Sequence, residues 1–136
     1  MSYAVAEALQ VAVYDRLFND SGVTALVGSA IYDVVPAGDL PDLYVALGAE
    51  VARDKSDMTG GGAEHEFTIS VVTHKAGFAS AKALAGAVSD ALVDADLTLS
   101  RGQLVGLRFY RARAARVGTS DERQINLIFR ARVCDG

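Results

Sequence analysis

Two histidines, one cysteine and a trio of aspartates are the side chains through which this sequence would do metal or nucleophilic chemistry. His65 and His74 stand nine residues apart on one predicted strand. An odd separation sends them to opposite faces, which argues against a shared metal ion. Glu64 and Glu66 flank His65, but neighbours on a strand alternate faces and form no ligand trio with it. Both histidines read as surface residues at strand ends. A catalytic thiolate needs an activating base and a pocket, and nothing near Cys134 supplies either. Asp90, Asp94 and Asp96 lack EF-hand spacing and fall at a predicted helix C-terminus, where carboxylates are disfavoured; they read as a solvated face or as a complement to arginines. Gly60, Gly61 and Gly62 resemble a phosphate loop only in composition, because the lysine and hydroxyl residue of that motif are missing. No catalytic residue, metal site or cofactor is expected.

The arginines carry more information. Arg101, Arg108, Arg111, Arg113, Arg116, Arg123, Arg130 and Arg132 account for eight of the 13 basic residues, all in the last stretch of the chain. Net charge is −4, with the acids mostly upstream, so the chain is split into electrostatically unlike parts. Arg108, Arg111, Arg113, Arg130 and Arg132 are expected to cluster on one hairpin. Like charges opposed on a sheet destabilise it, so a compensating anion is required. It can come from the chain's own acids, from a neighbouring subunit, or from phosphate. Only Tyr110 interleaves with these arginines, which supports base stacking poorly.

The elements that position them follow from periodicity. Val5, Leu9, Ala12, Val13 and Leu17 make one stripe of a helix over 3–19, with Ser2 as its N-cap. A short helix, VTALV, ends at Gly28. Strands are expected over 31–35, 43–53 and 63–74, the last with Phe67, Ile69 and Val71 inward and Glu66, Thr68 and Ser70 outward. Between the second and third, residues 54–62 (DKSDMTGGG) read as a hairpin loop, and Asp57, Met58, Thr59, Gly60, Gly61 and Gly62 are its candidate docking residues. Residues 78–94 form a second amphipathic helix whose stripe, Ala81, Leu84, Ala85, Val88 and Leu92, is narrow enough to sit close to a sheet. Two long strands, 103–117 and 121–134, close the chain as a hairpin. Val105, Leu107 and Phe109 are expected inward. Strict alternation would then bury Arg111 and Arg113, at high cost. A β-bulge near Tyr110 avoids this by turning Ala112 and Ala114 inward instead.

This order implies one α+β domain over 1–136: a mostly antiparallel sheet, two main helices on one face, and a long C-terminal β-hairpin. The 136 residues, 51% hydrophobic and 22% charged, suit a globular core without staples. The lone cysteine points to a reducing compartment. The N-terminus has no basic region of a signal peptide, and no apolar run is long enough to span a membrane.

Four segments, taken in order, resemble a known family: LQVAVYDRLFND-SGVTALVGSAIYDVVP; LPDLYVALG; GAEHEFTISVVTHKAGFASAKALAGAVSDAL; and LVGLRFYRARAARVGTSDERQINLIFRARV. Together they are similar to the small tail-completion, or tail-terminator, proteins of long-tailed phages, prophages and gene transfer agents. Leu43 replaces a proline often found before this strand, and the tryptophan usual near Val72 is missing; neither touches the layout. The resemblance implies a structural, non-enzymatic subunit of a virion or gene-transfer-agent tail, assembled in the bacterial cytoplasm. It implies a homo-oligomeric ring of six at the head-proximal end of the tail tube. Such a ring contacts the tail-tube protein and a head-completion or connector protein, stops tube growth and lets DNA pass through its lumen. A head–tail stopper, a tube subunit and a nucleic-acid-binding module are the alternatives. On this reading Arg108, Arg111, Arg113, Arg130 and Arg132 face a neighbouring subunit or the lumen.

Overall fold

The computed structural model describes residues 3–55 and 61–135. Helix α1 spans Val5–Phe18, α2 Ser21–Val27 and α3 Ala79–Leu92. The strands are β1 (Ile31–Tyr32), β2 (Leu43–Asp54), β3 (Gly62–Thr73), β4 (Gln103–Arg116) and β5 (Arg123–Cys134). They form one five-stranded sheet in the order β1-β2-β3-β5-β4, antiparallel except for the two-residue β1, which runs parallel to β2. The expected α+β class and C-terminal hairpin are both present.

Local sequence explains the element ends. Helix α1 starts from Ala4 without a side-chain cap, and the expected cap, Ser2, lies outside the described residues. Helix α2 is capped by Asp20, whose Oδ2 accepts from the Val23 amide at 3.0 Å. It stops at Gly28, whose φ of +59° suits a residue without Cβ. β1 is shorter than expected, because Val34 and Val35 run into Pro36 and stay exposed.

Both long helices lie against the same face of the sheet. Val5, Leu9, Val13 and Leu17 of α1 and Ala81, Leu84, Val88 and Leu92 of α3 join Val45, Phe67, Ile69, Val71, Leu107, Leu127 and Phe129 in one core. Three alanines on α3, at 81, 85 and 91, are buried, so the helix axis comes close to the strands. The Arg16 Nε ties the two helices by donating to the Ala91 carbonyl at 2.9 Å. A small second cluster, Ala30, Tyr44, Ala46 and Val72, covers the outer face only at the β1–β2 end.

Phe129 is the largest fully buried side chain. It is flanked by Phe67 in a stacked contact and by Phe109 edge-on, with centroids 5.7 and 5.9 Å away. The bulge expected near Tyr110 is present: the β4–β5 register shifts between Phe109 and Arg111. A second shift, between Leu104 and Gly106, makes Val105 a bulge residue. Val105 is therefore exposed and not inward as its alternation suggests. Ala112 and Ala114 do share a face with their partners Leu127 and Ile125. They remain exposed, because at this edge the sheet runs past its helices. Phe109 is likewise at the rim of the core, 43% exposed.

Arg101 and Asp135 join the entrance of β4 to the end of β5 through two 3.0 Å hydrogen bonds. The Arg101 hydrogen bond first, and the attraction of its charge, hold the Asp135 carboxyl below its ordinary value of 3.8. A depressed carboxyl contributes stability above the unfolded-state value and loses it as pH falls through the folded one. The melting difference between wild type and Asp135→Asn is thus expected to be largest near neutrality and to vanish in strong acid. Phe129→Ala is expected to lower unfolding free energy by about 3–5 kcal/mol in urea titration.

Candidate assembly surface

The outer face of the sheet at the β3–β5–β4 end carries the arginines, and the strand register decides which of them are neutralised. Glu66 stands opposite Arg130, and Glu64 opposite Arg132. Arg130 donates from Nε to Glu66 Oε1 at 2.9 Å and lies 3.8 Å from Glu64. Its guanidinium covers the Tyr110 ring at 3.5 Å from the centroid, a contact created by the bulge that swings Tyr110 to this face. The Glu66 hydrogen bond is the main reason that Arg130 holds its proton even more tightly than usual. Arg132 donates to the Lys55 carbonyl at 2.9 Å. Arg108, directly across from Arg130, is mostly exposed and reaches Glu64 only at 3.9 Å.

Arg111 and Arg113 are different. Neither side chain has a hydrogen bond, ion pair or ring contact among the described residues. Their β5 partners are Ile128 and Asn126, and beyond those, on β3, come Thr68 and Ser70. The two arginines rim a shallow concavity of about 390 Å³ floored by Thr68, Ser70, Gln124 and Asn126, with no carboxylate among the described residues that line it. Within the floor, Ser70 Oγ donates to Asn126 Oδ1 at 2.7 Å. Along the same edge strand Val105, Tyr110 and Phe109 expose apolar surface. Exposed apolar side chains on both faces of an edge strand that also carries uncompensated cations suit protein contact better than bare solvent.

The structure thus divides the five arginines singled out by sequence. Arg108, Arg130 and Arg132 meet acceptors of their own chain, while Arg111 and Arg113 do not. Of the candidate docking residues, Asp57, Met58, Thr59 and Gly60 lie outside the described residues. Gly61 accepts from the Asp135 amide at 3.0 Å and Gly62 begins β3, so both are held in the fold.

His74 lies just past β3, partly exposed, 3.3 Å from Glu122. His65 corrects the sequence reading. It is fully buried, not a surface residue, and neither ring nitrogen has a hydrogen-bond partner among the described residues. It stacks on Tyr3, with Nδ1 3.4 Å from Glu50 Oε2. The signal was available, since His65 has the same parity as the inward Phe67 and Ile69. The environment of His65 was not, because Tyr3 and Glu50 are remote in sequence. Among the described residues no cluster of His, Cys, Asp or Glu is arranged to hold a metal ion.

A family model described as "Tail completion protein gp17" matches residues 11–134, nearly the whole chain. The chain belongs to this family. A comparison with curated proteins gives no match. Among solved structures, the chain is similar to one in "Virion of native gene transfer agent (GTA) particle", with 62% identity and a TM-score of 0.93. The match covers 98% of this chain and 99% of that one. Both matches point to a structural component of a phage-like or gene-transfer-agent tail.

The two classes of arginine should separate in stability measurements. Arg130→Ala strands Glu66 and uncovers Tyr110, and is expected to lower the melting midpoint by several degrees. Arg111→Ala and Arg113→Ala are expected to change stability by no more than about 0.5 kcal/mol, the ordinary effect of a surface substitution.

Proposed function

We propose that this tail completion protein is an architectural, non-catalytic subunit of a phage-like or gene-transfer-agent tail. Six copies close into a ring at the head-proximal end of the tail tube. The ring stops tube growth, receives the head-side connector and leaves a lumen for DNA. The observation that carries this reading is the full-length match, at 62% identity, to a chain of a gene transfer agent particle.

The surface supports it physically. A ring needs two unlike patches, one meeting the other on the next copy. The sheet ends in two unlike edges: short β1 beside the acid-bearing α1 side, and long β4 bearing Arg111 and Arg113. We place these two arginines at the subunit contact and give Arg108 a flanking role there. Arg130 and Arg132 act indirectly, by fixing the sheet face that presents them. The β2–β3 connection, entered at Lys55 and left through Gly61, is assigned to the tube or connector.

Closed rings are the expected form of the protein, alone or on tail tubes, in negative-stain images and native mass measurements. Arg111→Glu combined with Arg113→Glu should reduce ring yield by about tenfold or more, the scale of like-charge juxtaposition at an interface. Rings that survive this reversal would remove the two arginines from the contact. Extended tubes formed by the protein itself would overturn the terminator role.

A further inference from the structure

A second concavity lies at the opposite edge of the molecule, between α1 and the half of β2 that β1 leaves unpaired. It encloses about 420 Å³ and is lined mainly by Tyr3, Glu7, Gln10, Tyr14, Asp33 and Glu50. Among the described residues three carboxylates line it, and no lysine or arginine does. Gln10 donates to Asp33 at 2.6 Å, and the Tyr3 hydroxyl donates to Glu50 Oε1 at 2.5 Å. That bond to Glu50 is the chief reason that the Tyr3 phenol holds its proton above the ordinary range. Behind Glu50 is His65, wholly buried, with both nitrogens unpartnered and Nδ1 turned toward the second carboxylate oxygen. Glu50, only 19% exposed, therefore has no permanent cation among the described residues.

We propose that this groove is the receptor for Arg111 and Arg113 of the adjacent copy, an assignment that rests on the ring reading above. Three features select this occupant. The acids are spread around the groove and do not converge as metal ligands, which suits a wide planar guanidinium better than a bare ion. Tyr3 and Tyr14 are each stacked on one side, by His65 and Phe18, so a guanidinium would take the opposite ring face, in the way that Arg130 lies on Tyr110. Finally, Arg111 and Arg113 are exposed without side-chain partners among the described residues, as is Arg53 on β2, and the two on β4 cannot reach their own groove. β5 and β3 separate β4 from β2, a gap of about 14 Å at ordinary strand spacing. Arg111 and Arg113 project from the outer face at one edge, whereas Glu50 shares the helix-side face with its partner Phe67 at the other. Copies joined this way overlap like shingles, each tucking its β4 edge against α1 of the next. The contact leaves both patches unused at the free ends, so it propagates until the ring closes.

The test uses the full chain produced with its tail-tube protein. Glu7→Lys with Asp33→Lys should lower ring yield by about tenfold, as Arg111→Glu with Arg113→Glu does, while the four changes together restore it to within about threefold of wild type. If the lysine variant fails to fold, Glu7→Gln with Asp33→Asn must show a smaller fall in the same direction. In a Cys134→Ser background, Glu7→Cys paired with Arg111→Cys should give an oxidised ladder of dimers up to the closed ring on a non-reducing gel. Wild-type ring yield from folded groove variants, or the absence of a ladder while rings form, overturns the receptor assignment and leaves the ring standing. If the wild-type protein forms no ring, alone or on tubes, the ring reading falls and the receptor falls with it.

Discussion

The uninterrupted pairing of β3 with β5 is the constraint on which the rest of this protein depends. Every residue from Gly62 to Thr73 has a partner between Arg123 and Cys134. The register sets Phe67 against Phe129 on the helix side and Glu66 against Arg130 on the other. Side chains alternate with period two, so a slip of one residue would put arginine under the helices and phenylalanine in water. The apolar face and the charged face therefore enforce the same alignment. This agreement fixes where β4 can sit, and with it the direction in which the exposed arginines project.

Neutralisation on the outer face is selective. Acids occur on β3 only at Glu64 and Glu66, near the start of the strand, and the arginines opposite them are the ones with partners. Farther along, β3 presents Thr68, Ser70 and Val72, and the arginines of β4 at that level go unanswered. Positive charge left in place at one sheet edge, with carboxylates concentrated beside α1 at the other, gives the subunit a polarity across its width. Such a polarity is the physical basis of the head-to-tail contact proposed above for this member of the tail completion family.

Much of this was legible in the sequence, for identifiable reasons. The alternation in 63–74 and the helical stripes of α1 and α3 are strong because each element has one wet and one dry side. The Tyr110 bulge was readable because two arginines in core parity are energetically untenable. The Val105 bulge was hidden: Val105, Leu107 and Phe109 look like ordinary alternation, and only the pairing with β5 reveals the extra residue. His65 was misplaced because its polarity was weighed above its parity. Which arginines lack partners could not be read at all, since that depends on the acids standing across two strands. The groove beside Tyr3 was equally out of reach, assembled as it is from α1, the segment after β1, and β2.

The two bulges of β4 have a further consequence. An outermost strand of this length would normally offer a continuous row of free amides and carbonyls, ready to template another strand. Extra residues at Val105 and Tyr110 bend and twist that row into short, misaligned stretches. The edge can thus be adhesive through its side chains while its backbone stays a poor template. Recognition by side chains is specific to one partner surface and one angle, whereas backbone pairing accepts almost any strand. An edge of this kind separates the two modes of association, so that contact can be selected by side chains without the backbone recruiting unrelated strands.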